Sequence, residues 1–104
     1  MRRLRILDSA AREAIEAAAF YEAERPGLGA EFDTALNAAF DLLEGEILPL
    51  TPMPGRAGNR GAKRFVMRRF PYDIVVLEHP EELLVIAIAH HRRRPGYWRR
   101  RVRG

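Results

Sequence analysis

The second half of the chain carries the residue types that could do chemistry on a phosphate group. Cleaving RNA without a metal ion requires a group that activates the ribose 2′-hydroxyl, cations that stabilise the phosphate charge, and a proton donor for the leaving oxygen. Lysine, arginine, histidine and tyrosine can supply these roles, and the candidates of these types are Lys63, Arg64, Arg68, His90, Arg92, Arg93 and Tyr97. If the chain is a ribonuclease, its predicted catalytic residues are Arg64, Arg68, His90, Arg93 and Tyr97.

Several of these candidates also have a structural interpretation. His90 ends an apolar run, where a hydrogen-bonded histidine is common, while His91 points to the opposite strand face and is expected to be exposed. Because these neighbours diverge and His79 lies in a predicted turn, we expect no metal site, and no motif indicates a cofactor. Tyr97 and Trp98 either dock the C-terminal segment on the core or offer faces on which bases stack.

Charge divides the chain into an acidic half and a basic half. Residues 1–55 carry five Arg against ten Asp and Glu, a net of −5, and residues 56–104 carry thirteen Lys and Arg against four acids, a net of +9. This asymmetry favours contact of the second half with a polyanion or an acidic partner. The predicted target-binding or partner-binding residues are Lys63, Arg64, Arg68, Arg92, Arg93, Tyr97 and Trp98. The alternative is that these arginines form a solvated surface.

Composition narrows the class of protein. A chain of 104 residues with 47% hydrophobic and 31% charged residues fits one globular domain. The absence of cysteine excludes disulfides, thiolate catalysis and cysteine metal sites, and suits a reducing compartment. The longest apolar run, residues 83–89, is far shorter than the ~18–20 residues that span a membrane. Charged residues interrupt the N-terminus, so we expect no export, no membrane contact and a cytoplasmic location.

The acidic first half shows no catalytic arrangement. Its helical glutamates Glu13, Glu16, Glu22 and Glu24 are not paired with a base or a nucleophile in any pattern that spacing reveals. The chain also lacks a glycine-rich phosphate-binding loop. Hydrolase and transferase functions therefore have no support in the sequence.

Periodicity predicts the order β-α-α-β-β-β. The predicted elements are a strand at 2–7, helices at about 10–25 and 28–44, a loop at 48–61, and strands at 62–69, 72–78 and 83–90. Asp8 or Ser9 is expected to cap the first helix, and Pro26 with Gly27 to end it, so that the helices form an antiparallel hairpin.

Each helix shows a predicted apolar stripe. The first is Ala11, Ala14, Ile15, Ala18 and Tyr21, and the second is Leu28, Phe32, Ala35, Leu36, Ala39, Leu42 and Leu43. Both stripes are expected to be plain core, with little apolar surface of the hairpin left over unless a groove stays open.

In the predicted sheet, Phe65 and Met67 lie on one face while Arg64, Val66 and Arg68 lie on the other. Residues 83–90 are apolar on both faces, which predicts a central strand. The result is an α+β fold, a helical hairpin on a small, mainly antiparallel sheet.

The last residues of the chain are expected to contribute little to the fold. We assign residues 1–98 to one domain and residues 99–104 to a basic tail. The segment after Arg92 looks too basic to pack, so exposed tail residues such as Arg101 and Arg103 should matter little for activity.

Three groups of residues, in order along nearly the whole chain, resemble the ParE/RelE superfamily of toxins. They are Pro26-Gly27-Leu28-Gly29 with Phe32, then Arg69-Phe70-Pro71-Tyr72 with Ile74, then His90 with Arg92, Arg93, Pro95, Tyr97 and Trp98. The chain is most similar to the ParE-like, plasmid stabilisation branch. It departs from the pattern at Arg94, where the family often has an acidic residue.

The resemblance implies the fold predicted above and a toxin of a type II toxin–antitoxin system. It implies a cognate antitoxin whose C-terminal segment wraps the toxin in a hetero-oligomer. ParE-type members poison DNA gyrase by binding it, whereas RelE-type members cut mRNA on the ribosome with basic residues of the sheet and a tyrosine near the C-terminus. Three hypotheses follow: a gyrase inhibitor, a ribosome-dependent endoribonuclease, and a non-toxic homologue that only binds its antitoxin.

Overall fold

The computed structural model describes residues 3–45, 50–53 and 61–101. The elements follow one another as β1 (Arg3–Ile6), α1 (Asp8–Glu24), α2 (Leu28–Glu44), β2 (Thr51–Pro52), β3 (Ala62–Val66), β4 (Tyr72–Glu78), β5 (Glu82–His90) and a 3-10 helix (Arg99–Arg101). This order confirms the predicted α+β class. The addition is β2, a two-residue strand inside the segment predicted as a loop, of which residues 48–49 and 54–60 lie outside the described part.

The five strands form one sheet in the order β1-β5-β4-β3-β2. The pairing of β1 with β5 is parallel and the other three pairings are antiparallel. The prediction that residues 83–90 form a central strand is confirmed, because β5 lies between β1 and β4 and its residues 83–89 are all buried. No helix among the described residues is both long and apolar enough to cross a membrane.

The turn between α1 and α2 is held by a carboxylate. Gly27 adopts a left-handed backbone with φ of 90°, which glycine accommodates without a steric penalty. The carboxylate of Glu22 accepts hydrogen bonds from the backbone N–H of Gly27 at 2.9 Å and of Gly29 at 3.0 Å, and so satisfies donors at the start of α2. A Cβ at Gly29 would lie 2.5 Å from the carbonyl oxygen of Ala18, so this glycine permits the close approach of the two helices.

The start of α1 differs from the prediction. The helix begins at Asp8, its N-cap residue is Leu7, and no side chain caps it. Both backbone groups of Leu7 are hydrogen-bonded: its N–H donates to the carbonyl of Val85 in β5, and its carbonyl accepts from the N–H of Ala11. Within the described residues, the chain therefore passes from β1 into α1 without a side-chain hydrogen bond at the N-cap.

Two predicted core positions on the helices are wrong. Ile15 is 70% exposed, and the buried residues of α1 are Ala10 and Ala17. Alanines occur on every side of this helix, so its sequence gives little contrast between faces. In α2, Leu42 is 38% exposed and Phe40 is buried instead, while the rest of the predicted stripe is buried or half-buried.

Aromatic side chains fill the space between the helices and the sheet. The rings of Tyr21 and Phe70 have centroids 4.9 Å apart, and Phe32 lies 5.1 Å from Phe70 and 5.3 Å from Tyr72. Edge-to-face and tilted geometries of this kind are the favoured ones for aromatic pairs. This cluster packs the start of β4 and the residue Phe70 before it against the helical hairpin.

The strand β3 is shorter than predicted and ends at Val66. Met67 is buried, and its N–H donates to the carbonyl of Tyr72, so the chain turns back within residues 67–71. Arg68 consequently lies in this turn, exposed, and not on the strand face to which the alternation assigned it.

The expectation that the basic C-terminal segment does not pack is wrong for its described residues. Trp98 is 2% exposed and contacts the face of the sheet opposite the helices, where Val75, Leu84 and Ile86 lie. The 3-10 helix that follows holds Arg101 against the body of the protein. This segment therefore covers the second face of β5, while residues 102–104, including Arg103, lie outside the described part.

Candidate functional site

A cavity of about 370 Å³ lies on the face of the sheet opposite the helices. Five predicted site residues line it, from β3, the end of β5 and the segment after it: Arg64, His90, Arg93, Tyr97 and Trp98. Apolar side chains of the neighbouring strands, Val66, Val75 and Ala89, complete its lining together with Arg94 and His91. We term this the basic cavity, because its rim carries the arginines.

Three other predicted residues do not line the basic cavity. Lys63 makes an ion pair with Glu78 of the adjacent strand. Arg68 and Arg92 are exposed and project from turns at the ends of β3 and β5. The predicted partner-binding residues are therefore divided, and only some of them surround a cavity.

Asp73 brings a negative charge into the basic cavity. One carboxylate oxygen lies 3.5 Å from Nη1 of Arg64, and the other lies 2.9 Å from Nε2 of His91. His91 is exposed, as predicted, and this contact in addition anchors its ring. The Nε of Arg64 is buried without a hydrogen-bond partner among the described residues. Asp73 thus offsets the positive charge on one side of the cavity. Arg93 and Arg94 also line the cavity, and neither forms an ion pair with a carboxylate in the described part of the chain.

His90 takes part in local structure. Its Nδ1 accepts a hydrogen bond of 3.0 Å from the backbone N–H of Arg92, and its ring packs edge-on against Tyr72 at 5.0 Å. Burial lowers the pKa of His90, and the charges of Arg92 and His91 lower it further. These contacts favour the neutral imidazole. They also support the structural interpretation of His90, one of the two that the sequence allowed.

Tyr97 is held by a carboxylate from the opposite end of the chain. Its hydroxyl donates to Oε2 of Glu13, while Nη1 and Nη2 of Arg101 donate to the same carboxylate at 2.9 and 3.2 Å. Burial raises the pKa of Tyr97, and the hydrogen bond to Glu13 raises it further. We term Glu13, Tyr97 and Arg101 the C-terminal clamp.

The clamp closes an open stretch of sheet edge. The strand β1 pairs with β5 only as far as Val85. Beyond it, Oε1 of Glu13 accepts from the N–H of Ile88 at 3.0 Å, and Arg101 donates to the carbonyl of Ile86 at 3.0 Å. Ile86 is also unmatched on the other side, because Val75 and Val76 of β4 face residues 87 and 85. Two side chains therefore satisfy backbone groups that would otherwise lack partners.

Glu13 is the residue that sequence reasoning missed. The glutamates of α1 were predicted to have no pairing tied to a functional group, yet Glu13 contacts one of the predicted site residues. Its partners Tyr97 and Arg101 lie 84 and 88 positions away. No local spacing contains that information.

A second cavity, of about 240 Å³, lies between α1 and the ends of β4 and β5. Its lining includes Glu13, Glu16 and Phe20 of α1, and it shares His90, Arg93 and Tyr97 with the basic cavity. We term it the acidic cavity. The guanidinium of Arg93 lies 3.9 Å from the centre of the Tyr97 ring, at the boundary between the two cavities.

Local contacts engage the side chains that could transfer protons. The described residues contain no group of three His, Asp or Glu side chains placed to hold a metal ion. Tyr97 and His90, which would exchange protons in RNA cleavage, are engaged by Glu13 and by the backbone of Arg92. The arginines at the cavity rim retain donors that suit carboxylate or phosphate groups.

Comparison with known proteins supports the fold. No family model matches the chain, and no curated protein matches it. A chain of the solved structure described as "Chromosomal ParDE TA system from P. aeruginosa" is similar to this one, with a TM-score of 0.73, 14% identity, and coverage of 86% of this chain and 96% of that chain. The chain therefore has the ParE/RelE-like fold that the sequence resemblance implied.

Proposed function

We propose that this chain is the toxin of a type II toxin–antitoxin pair, that it halts replication by binding DNA gyrase, and that a cognate antitoxin neutralises it. Two lines of support combine in this proposal. The fold is similar to a chain from a structure described as a ParDE system, and the sequence motifs resemble the ParE branch. A cytoplasmic location is part of the proposal, because gyrase acts on the chromosome there.

The observation that carries binding over cleavage is the hydrogen bond from Tyr97 to Glu13. A general acid or base works best when its pKa lies near the operating pH, and it must be free to donate a proton to the reacting atom or accept one from it. Tyr97 instead donates to a carboxylate within the protein, and its raised pKa opposes loss of that proton. The most suitable tyrosine for a RelE-type reaction is thus used to hold the C-terminal segment in place.

A toxin that acts by binding needs a shaped, charged surface and no proton relay. The rim of the basic cavity provides Arg93 and Arg94, and its apolar lining offers contact area for a protein surface. Predicted partner-binding residues outside the cavity, Lys63, Arg68 and Arg92, would act at the margin of such an interface, where charge chiefly affects the association rate.

The second candidate function is a metal-independent mRNA interferase acting on the ribosome. It is favoured by one observation, that Arg64, His90, Arg93 and Tyr97 all line the same cavity. Against it stands the hydrogen bond from Tyr97 to Glu13, which commits the tyrosine hydroxyl to a contact within the protein.

Expression of the chain without its antitoxin separates these functions. We expect growth arrest with filamentation and a DNA-damage response, and inhibition of purified gyrase in a supercoiling assay. Codon-specific mRNA cleavage seen by primer extension, with gyrase unaffected, would instead assign the interferase function. If confirmed expression produces neither effect, the chain is the non-toxic homologue that only binds an antitoxin. A short reading frame for a DNA-binding protein immediately upstream would identify that antitoxin.

A further inference from the structure

The basic and acidic cavities adjoin along His90, Arg93 and Tyr97, which line both. We propose that they form one groove of opposite polarity, and that it binds an extended segment of a partner protein that carries a basic side chain at one end and an acidic side chain at the other. The inference rests on the proposed function for the partner's identity, the antitoxin, and adds the chemistry of the segment and its placement.

The acidic end of the groove suits a cation. Glu16 is exposed and makes no ion pair with any residue that the structure describes. The carboxylate of Glu13 is already bound by Arg101, so Glu16 supplies the uncompensated charge. Phe20 is 57% exposed and lines the same cavity. A lysine or arginine side chain can lay its apolar stem against such a ring while its charge meets the carboxylate.

The basic end suits a carboxylate beside an apolar group. Arg93 and Arg94 both line it, and neither pairs with a carboxylate in the described ranges 3–45, 50–53 and 61–101. Val66 is 45% exposed there, and Val75 and Ala89 lie nearby in the lining. An acidic side chain at the rim and an apolar side chain on this lining would complement both features.

Opposite polarity along one groove argues for a protein segment over a nucleic acid. A nucleic acid strand carries a negative charge at every nucleotide, so its backbone would meet the carboxylate of Glu16 at the acidic end. At the basic end the aromatic rings are closed to base stacking, because Trp98 is 2% exposed and Arg93 covers the ring of Tyr97 at 3.9 Å. A polypeptide can change the sign of its charge from one residue to the next.

Charge reversal at the two ends distinguishes the occupants. The probe is the purified product of the adjacent antitoxin gene, titrated against the full chain at low salt. We expect Glu16→Lys and Arg94→Glu each to weaken this complex by about five- to tenfold. A polyanion would respond with opposite signs, because Glu16→Lys would strengthen its binding and Arg94→Glu would weaken it. A single-stranded RNA oligonucleotide, titrated in parallel, tests that pattern.

Asp33→Lys and Arg12→Glu are matched controls, since both residues are exposed helical positions that line neither cavity. They should leave the affinity within about twofold of the wild-type value. Suppose that the wild-type chain binds the antitoxin and that both groove variants bind it equally well, or that only Arg94→Glu weakens the complex. Either result would overturn the bipolar groove while leaving the proposed function standing. RNA binding with the opposite-sign pattern would reassign the groove to a nucleic acid. Failure of the wild-type chain to bind the antitoxin at all would reject the proposed function and this inference together.

Discussion

The guanidinium of Arg101 makes a two-point contact with the carboxylate of Glu13, with Nη1 and Nη2 at 2.9 and 3.2 Å from its oxygens. The side chains are 24% and 13% exposed, so the pair is mostly withdrawn from water. The contact joins α1 to the 3-10 helix across the edge of β5. It therefore links the acidic half of the chain to the basic half and holds the C-terminal segment over the sheet.

The first prediction concerns the stability of this pair. Glu13→Ala should lower the free energy of unfolding by about 2–4 kcal/mol, because it leaves Arg101 and the N–H of Ile88 without their acceptor. Urea denaturation of Glu13→Ala, Arg101→Ala and the double variant measures the coupling between the two side chains.

Glu16→Ala, one turn along the same helix and exposed, is the control and should change stability by less than about 0.5 kcal/mol. If Glu13→Ala costs no more than this control, the clamp does not stabilise the fold. Arg100→Ala, an exposed neighbour in the 3-10 helix, should likewise have little effect.

The second prediction concerns Gly29. In an open helix, replacing glycine with alanine stabilises the protein by about 1 kcal/mol. Here the new Cβ would lie 2.5 Å from the carbonyl oxygen of Ala18, so Gly29→Ala should destabilise by about 1–3 kcal/mol. Thermal or urea unfolding of Gly29→Ala, measured beside Ala30→Gly at the exposed neighbouring position, shows the sign of the stability change. Stabilisation by Gly29→Ala would show that α1 and α2 do not pack this closely.

Much of the fold could be predicted because it depends on local pattern. Pro26 and Gly27 separate the two helices, and the run from Leu83 to Ala89 is apolar at every position, which is typical of a strand covered on both faces. The burial of Ile15 was predicted wrongly because the local pattern of α1 is weak. Alanine occurs on every side of this helix, so periodicity alone does not show which face is buried.

The site was harder to predict because its geometry depends on distant contacts and on one tight turn. Glu13 meets Tyr97 only when the complete sheet brings the chain ends together. Arg92 and Arg93 are adjacent in sequence, but the turn in which the N–H of Arg93 bonds to the carbonyl of His90 places only Arg93 in the cavities. Residue type was therefore enough to identify both arginines as candidates, but the geometry of the turn decides which of them reaches the cavities.

The third prediction is a pH dependence that belongs to His90. Its folded-state pKa lies below the ordinary value of 6.5, so the unfolded chain binds the proton more readily. The associated stability is fully present above about pH 6.5 and is lost as the pH falls through the folded-state pKa. Burial and nearby Arg92 and His91 are the cause. We therefore expect wild-type protein to lose more stability than His90→Asn between pH 7.5 and about pH 5.5.

His90→Asn is a suitable variant because its side-chain oxygen can accept the hydrogen bond that the N–H of Arg92 donates to Nδ1. Glu31, whose pKa is lowered mainly by its hydrogen bond to Arg69, loses its contribution only below its ordinary value of 4.5, outside this window. Urea midpoints across the range, with an NMR titration of the His90 ring, provide the measurement. Parallel curves for the two proteins would contradict the assignment.

The last prediction separates Arg93 from Arg92 in the proposed toxic activity. Arg93 lines both cavities and lies over the ring of Tyr97, whereas Arg92 is exposed and lines neither. A charged hydrogen bond buried at a contact contributes about 1.5–3 kcal/mol, so Arg93→Ala should weaken target binding roughly ten- to hundredfold and relieve growth arrest. Its stacking on Tyr97 contributes only about 0.5–1 kcal/mol, so the fold should survive. Arg92→Ala removes the same charge and should remain toxic. Growth assays paired with thermal melts of both variants test the distinction: equal relief would mean that toxicity follows total positive charge, and full toxicity of a folded Arg93→Ala would move the target contact toward Arg64 on β3.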